Sequence, residues 1–327
     1  MNARAVGIDV AKDSLDACLL VQEQLRHRQF SNGPEGYRAL DHWLKQQAAL
    51  PLAVCLEATG QYGEPVAEFL HQRGHMVSVV NPARIKAFGQ SQLRRNKTDK
   101  ADAELIAQFC ASQRPMPWTP PPAHRRDLQA LVRHLEDLQV MRQQEGNRLQ
   151  SGVRTALVLA DLQEHVRYLD QQIEKVKRAM QDLIECHPDL HRQQALLVSI
   201  PGIGLLTAAK LLGEIRAVGE FESARQLAAY AGLTPRNFLS GSSVHKKSRL
   251  SKTGNAHLRK ILYMPAVSAR RWNPIIHAFC LRLSASGLTA LQQIGAAMRK
   301  LLHLIFGILK SGKPFDPHYL LSAPAAA

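Results

Sequence analysis

Val6-Gly-Ile-Asp9 and Leu52-Ala-Val-Cys-Leu-Glu57 are two short apolar runs, each ending in a carboxylate. Runs of this length, bounded by turn signals, read as buried strands. Working outward from the first, Lys12-Asp13 reads as a turn and Leu15 to Val21 as a second strand. His27 to Ser31 reads as a third, closed by Asn32-Gly33-Pro34. Glu35 to Ala48 has helical spacing, with Tyr37, Leu40, Trp43 and Leu44 on one side. After the Leu52 run, Tyr62 to Arg73 reads as a helix stopped by Gly74. Met76 to Val80 reads as a strand ended by Asn81-Pro82, and Ala83 to Gln90 and Thr98 to Cys110 as helices. Three strands followed by helix, strand, helix, strand and helices suit a mixed sheet flanked by helices.

Arg114-Pro-Met-Pro-Trp-Thr-Pro-Pro-Pro122 cannot be helical and lacks many backbone donors, so it reads as a stiff linker. From Arg125 to about Ile184 proline is absent. Leu128, Leu131, Leu135, Leu138 and Met141 recur at 3-4-3-3 spacing, and Leu162, Val166, Leu169, Ile173 and Val176 at 4-3-4-3. This pattern predicts two long helices. They can form an antiparallel hairpin, an intermolecular coiled coil, or ordinary helices packed on a domain. The segment from His191 onward reads as mostly helical, with a Gly-rich start and a basic loop. The expected organisation is an α/β domain at 1–114, a Pro-rich linker at 115–124 and a coiled coil or helical hairpin at 125–188. A mostly helical C-terminal domain at 189–316 and a tail at 317–327 complete it.

The 327 residues carry 42 Lys plus Arg against 27 Asp plus Glu, a net charge of +15. Such an excess repels itself in a compact state unless a polyanion offsets it, and nucleic acid is the usual polyanion. The five cysteines include no Cys-x-x-Cys pair, so neither a disulfide framework nor a zinc site is implied. They fit small buried residues of a reduced cytoplasmic protein. The N-terminus lacks the apolar core of a signal peptide, and no apolar run is long enough to span a bilayer, so no membrane partner is expected.

Asp9 and Glu57 sit at the ends of predicted strands, where ligands commonly bind. Asp99 and Asp102 are three apart near the start of a helix and share a face. Four converging carboxylates are hard oxygen ligands suited to Mg²⁺ or Mn²⁺. Two such ions can clamp the attacking and leaving oxygens of phosphoryl transfer. Singly, Asp99 and Asp102 also suit the positive end of a helix, and Asp9 a turn. Arg94, Arg95 and Lys97 lead into Asp99 and suit a phosphate backbone or a solvated charge run alike.

Ser199-Ile-Pro-Gly-Ile-Gly204 precedes the apolar stretch Leu205 to Ile215. A turn with Gly202 and Gly204 opening a helix exposes backbone N–H groups to a phosphate, as in the helix-hairpin-helix motif; glycines for close packing are the alternative. Ser240-Gly-Ser-Ser243 lies in a stretch followed by Lys246, Lys247, Arg249 and Lys252. A serine hydroxyl there can attack phosphorus if activated, or simply bind phosphate. The residues do not tell Ser240 from Ser242 and Ser243.

Four ordered blocks carry a family resemblance. They are Gly7-Ile-Asp9-Val-Ala-Lys12, Glu57-Ala-Thr-Gly60, Asn96-Lys-Thr-Asp99-Lys-Ala-Asp102-Ala, and Ala231-Gly-Leu-Thr-Pro235 followed by Ser240-Gly-Ser-Ser243. Ser199-Ile-Pro-Gly-Ile-Gly204 is a fifth. With these the chain resembles the DEDD-type insertion-sequence transposases, described as bridge-RNA-guided serine recombinases. The resemblance implies an N-terminal RuvC-like domain of RNase H-like fold, a helical coiled coil and a C-terminal transposase domain. It implies that Asp9, Glu57, Asp99 and Asp102 are the acidic tetrad and that Ser240 is the nucleophile. It further implies a divalent cation, double-stranded donor and target DNA, a structured guide RNA, and a dimer or tetramer in which one protomer's carboxylates act with another's serine. The alternative from the tetrad alone is a metal-dependent nuclease or Holliday-junction resolvase with water as nucleophile.

Overall fold

The computed structural model describes residues 4–47, 49, 51–58, 60–93, 98–215, 217–240 and 244–318, with backbone alone at 61, 237–240 and 244–248. Two compact units result, Met1–Pro120 and Pro121–Ala327.

In the first unit the elements run β1 (Arg4–Val10), β2 (Ser14–Val21), β3 (Gln24–Ser31), α1 (Pro34–Gln47), β4 (Ala53–Glu57), α2 (Glu64–Gln72), β5 (Met76–Val80), α3 (Pro82–Ser91) and α4 (Asp99–Gln113). The sheet order is β3-β2-β1-β4-β5. β1, β2 and β3 are antiparallel neighbours, whereas β4 runs parallel to β1 and β5 parallel to β4. This order is compatible with the RNase H-like fold implied above. β3 starts three residues earlier than the sequence suggests. Gln22 and Glu23, both at positive φ (50° and 67°), close a two-residue hairpin between Val21 and Gln24. That is the I′ backbone, normally signalled by Asn-Gly, so a Gln-Glu pair conceals it.

Strand residues alternate between the two faces of the sheet. Val6, Ile8, Leu15, Ala17, Leu19, Val54 and Leu56 pack in one cluster with Leu40 and Leu44 of α1 and Val66 and Leu70 of α2. The opposite parity, Ala5 and Cys55, packs with Leu105, Ile106 and Phe109 of α4. Helices therefore cover both faces. The Pro-rich stretch is not wholly a free linker. The Trp118 N–H donates to the Val77 carbonyl at 2.7 Å, and Ser78 Oγ donates to the Pro115 carbonyl at 3.1 Å. With the Trp118 ring against the core, this stretch covers the exposed edge of β5, where unpaired backbone groups would otherwise stand open.

The second unit is mostly helical. Its helices are α5 (Ala123–Gln150), α6 (Ala156–Glu185), α7 (Pro188–Val198), α8 (Leu205–Glu214), α9 (Ala224–Tyr230), α10 (Ala256–Trp272), α11 (Pro274–Ala285) and α12 (Ala290–Ser311). α5 and α6 form a hairpin within the chain. Arg142 pairs with Asp170 at 3.0 Å and Glu145 with His165 at 3.6 Å, the antiparallel register. Its basal residues, Leu128, Val132, Leu135, Ile173, Val176 and Ile184, join one core with α7, α8, α10 and α12, so the hairpin is rooted in the C-terminal helices. Between α9 and α10 the expected basic loop is instead a β-hairpin, β6 (Pro235–Ser240) and β7 (Val244–Leu250). Among the described residues no helix is long and apolar enough to cross a membrane.

Candidate active site

Asp9 lies one residue from the end of β1, and Glu57 is the last residue of β4. Ile8 pairs with Leu56 in parallel register, so the two carboxylates stand level on neighbouring strands. Both have the parity of Gly7 and Cys55, which places them on the face that α4 covers. Gly7 explains how closely α4 approaches. A Cβ there would lie 2.2 Å from the Ala103 carbonyl oxygen and 2.2 Å from the Ala107 nitrogen, so only glycine lets helix and sheet meet. The start of α4 is fixed by Thr98, whose hydroxyl accepts from the Ala101 N–H at 3.2 Å. Asp99 and Asp102 occupy that first turn.

The electrostatics report the convergence directly. The Asp9 carboxyl is pushed up to about 6, first by burial, then by the negative charges of Asp102, Asp99 and Glu57. The other three carboxylates thus lie close enough to Asp9 for their charges to act on it. Among the described residues no three acidic, histidine or cysteine side chains stand close enough to hold one ion. The two observations agree, because Coulomb coupling reaches well beyond coordination distance. Carboxylate oxygens are the donors a hard divalent cation takes, so the four fit one in chemistry.

Asp16 was missed by sequence reasoning. It pairs across the strands with Asp9 in β2. Gln29 Nε2 donates to its Oδ2 at 3.0 Å, and it is not among the groups that raise Asp9. Hairpin register alone would have revealed it. Arg94, Arg95 and Lys97 lie outside the described residues.

In the second unit, Ser240 ends β6 with its backbone opposite Val244. Ser242 and Ser243 lie outside the described residues, and Lys246 and Lys247 are placed by their backbone in β7. Arg249 and Lys252 are exposed near the hairpin's base. That base is tightly built. Ser251 N–H donates to the Thr234 carbonyl at 2.9 Å, and Lys252 N–H to the Gly232 carbonyl at 3.0 Å. Gly232 has φ +67°, and a Cβ there would meet the Lys252 carbonyl carbon at 2.9 Å. The Ala231-Gly-Leu-Thr-Pro235 block therefore holds the root of the hairpin. Asn255 locks it to the helices: its Nδ2 donates to Glu214 at 2.7 Å and its Oδ1 caps α10 at Leu258 N–H. Glu214 is fully buried and also accepts from Arg133 at 3.1 Å. No sequence signal pointed to this network.

The turn between α7 and α8 splits the roles of its glycines. Gly202, at φ +105°, would press a Cβ to 3.0 Å from the Ala269 nitrogen, so close packing accounts for it. Gly204 precedes α8 with nothing within 4 Å of a Cβ, which leaves the helix N-terminus approachable by a phosphate.

A carboxylate cluster on an α/β sheet and a helical unit bearing a basic hairpin match a DNA transposase or recombinase, and comparison with known proteins supports that class. Residues 6–158 match the DEDD transposase family of IS110, and residues 194–281 match the transposase IS116/IS110/IS902 family. The chain is 35% identical over 320 residues to the pilin gene-inverting protein of Moraxella bovis, covering 97% of this chain and 98% of that one. It is 30% identical over 232 residues to the transposase for insertion sequence element IS1328 of Yersinia enterocolitica, covering 60% and 65%. With the transposase for insertion sequence element IS1111A of Coxiella burnetii it shares 23% over 301 residues, covering 80% and 76%. The chain belongs to the IS116/IS110/IS902 family of transposases, enzymes of DNA transposition and recombination.

Proposed function

We propose that this chain exchanges DNA strands at defined sites through a covalent serine–DNA intermediate, with Asp9, Glu57, Asp99 and Asp102 holding Mg²⁺ or Mn²⁺. The observation that carries this reading is that Asp9 and Glu57 stand level at the carboxyl ends of two neighbouring central strands, with Asp99 and Asp102 of the first turn of α4 near enough to raise Asp9, in a basic protein. A cluster of like charges raises the energy of the metal-free site, and cations relieve it. When bound, such ions stabilise charge developing on the phosphate. The Ser240 hydroxyl attacks the scissile phosphorus and gives up its proton. The Ser–O–P bond forms, the P–O3′ bond breaks, and the leaving 3′-hydroxyl takes a proton. Rejoining reverses these steps with the exchanged strand's 3′-hydroxyl, so no external energy source is needed.

The carboxylates and Ser240 belong to different compact units, which suits a site completed by two protomers. The α5–α6 hairpin, with Val140, Met141, Leu157 and Tyr168 exposed, suits contact with a second copy. Likeness to a protein named for inverting a pilin gene favours reaction at fixed sites, inversion being one outcome of strand exchange. A structured RNA that pairs with donor and target DNA is the choice of site that the family resemblance supports. Gly202, Gly204, Arg249 and Lys252, with Arg94, Arg95, Lys97, Ser242, Ser243, Lys246 and Lys247, would contact the nucleic acid.

Strand exchange between two element ends, supplied with the non-coding RNA transcribed beside the gene, tests this. Wild-type protein should yield exchanged junctions by sequencing, and Asp9→Asn and Ser240→Ala should yield none. If Ser240→Ala still cuts DNA at the wild-type rate, water is the nucleophile and the nuclease or resolvase reading stands instead.

A further inference from the structure

We propose that a groove on the second unit, formed by α5, α8, α10 and α12, binds a short single-stranded stretch of DNA. A base stacks on Tyr263, and phosphates are held by Lys210, Arg259 and Lys260. The proposal rests on the reading of DNA as substrate and adds where an unpaired strand runs.

The groove encloses about 600 Å³, and its walls include those four residues with Glu136 and Met264. Three cations face one carboxylate there. Glu136 is already engaged, its Oε2 lying 2.7 Å from His257 Nδ1, so the net field of the groove is positive. The Lys210 ammonium donates to Gln139 Oε1 at 3.0 Å, which fixes it in the groove wall. Tyr263 and Met264 are 40% and 66% exposed, although α10 buries its opposite side in the core. An aromatic face beside a row of cations is what an unstacked strand requires, since every base has a face to stack and every phosphate a charge. A duplex hides its base faces and has no use for Tyr263. Pro265, also in the wall, has no N–H, so the Ile261 carbonyl beside it lacks its helical donor.

Position argues for DNA over RNA. Arg259 Nη1 donates to the Ala231 carbonyl at 3.0 Å, at the root of the β6–β7 hairpin. Five strand residues, Pro235 to Leu239, lie between Thr234 at that root and Ser240, at most about 20 Å of extended chain. A DNA strand joined to Ser240 would therefore have the groove within reach of a few nucleotides.

Fluorescence anisotropy with the full-length protein tests this, using a labelled unstructured DNA oligonucleotide, its duplex, and an RNA of the same sequence. Tyr263→Ala should weaken single-stranded DNA binding by about tenfold, the size of one lost stacking contact. Tyr263→Phe should restore it, and duplex affinity should stay as in the wild type. Unchanged single-strand affinity in Tyr263→Ala overturns the groove while leaving DNA recombination intact. A wild-type protein that binds no DNA of either form overturns both. If Tyr263 governs RNA binding but not DNA binding, the choice of DNA is wrong. Should Tyr263→Ala fail to fold, Lys260→Gln on the exposed rim decides the matter: weaker single-strand binding supports the groove and equal binding overturns it.

Discussion

Asp9 owes its raised pKa to the packing that defines its strand, because the helix that buries it also brings Asp99 and Asp102. Between pH 4 and 6 the folded chain therefore holds a proton that the unfolded chain releases. At neutral pH the ionised cluster is a destabilising feature that a cation offsets. In Asp9→Asn the repulsion falls. Its melting temperature without divalent ions should equal or exceed the wild type's at pH 7.5, and strand exchange should vanish. Adding Mn²⁺ should raise the wild-type midpoint and leave the variant nearly unmoved; an equal rise in both by differential scanning fluorimetry would remove Asp9 from the ion site. His75 gives the opposite pH sign. It is fully buried, its Nε2 is 3.6 Å from Asp41 Oδ1, and Lys45 and Arg73 also face that carboxylate. Burial lowers the His75 pKa, with Asp41 opposing. Its contribution to stability is therefore complete above the unfolded pKa of 6.5 and declines as pH falls, because the unfolded chain takes up the proton first. Melting curves from pH 7 to 5 should slope less in His75→Phe than in the wild type. Asp9 and Glu57 were legible because apolar runs ending in acids are local. Asp16 was not, since its nearness to Asp9 depends on a hairpin register set by an uncharacteristic Gln-Glu turn.

Elements convert these residues into a site by close approach. Gly7→Ala must push α4 off β1, since backbone atoms lie 2.2 Å from the added Cβ. Overpacking of this kind costs about 1–3 kcal/mol. Urea denaturation should show that loss, and Mn²⁺ stabilisation should fall because α4 carries two of the four carboxylates. In the second unit, Glu214→Ala strips the shared partner from Arg133 and Asn255. Breaking a buried charged pair costs about 3–5 kcal/mol; Arg133 reaches solvent, so the lower end is expected from the denaturation midpoint. The mixed sheet and the two long helices were readable from periodicity. The β6–β7 hairpin was not, although Ser240-Gly241 is a turn signal, because the abundance of Lys and Arg resembled a solvated loop. The Pro-rich stretch read as a spacer because proline content says nothing of an edge strand waiting for Trp118.

At the scale of the whole molecule, two compact units divide the chemistry, acids in the first and the candidate nucleophile in the second. A net charge of +15 supplies general affinity for nucleic acid without selecting a site. The division between Pro120 and Pro121 falls within the proline-rich stretch Arg114 to Pro122. The proposed partnership of the Asp9 cluster with Ser240 was not legible in the sequence, because it rests on assembly and on family likeness rather than on any local pattern. The most direct measurement uses a nicked DNA substrate bearing an element end, which traps the cleaved strand on the enzyme, followed by denaturing electrophoresis and peptide mapping. The account predicts a protease-sensitive protein–DNA adduct at Ser240 that requires a divalent ion and disappears in Ser240→Ala and in Asp9→Asn. Cleavage without an adduct, or an adduct that persists in Ser240→Ala, would contradict it.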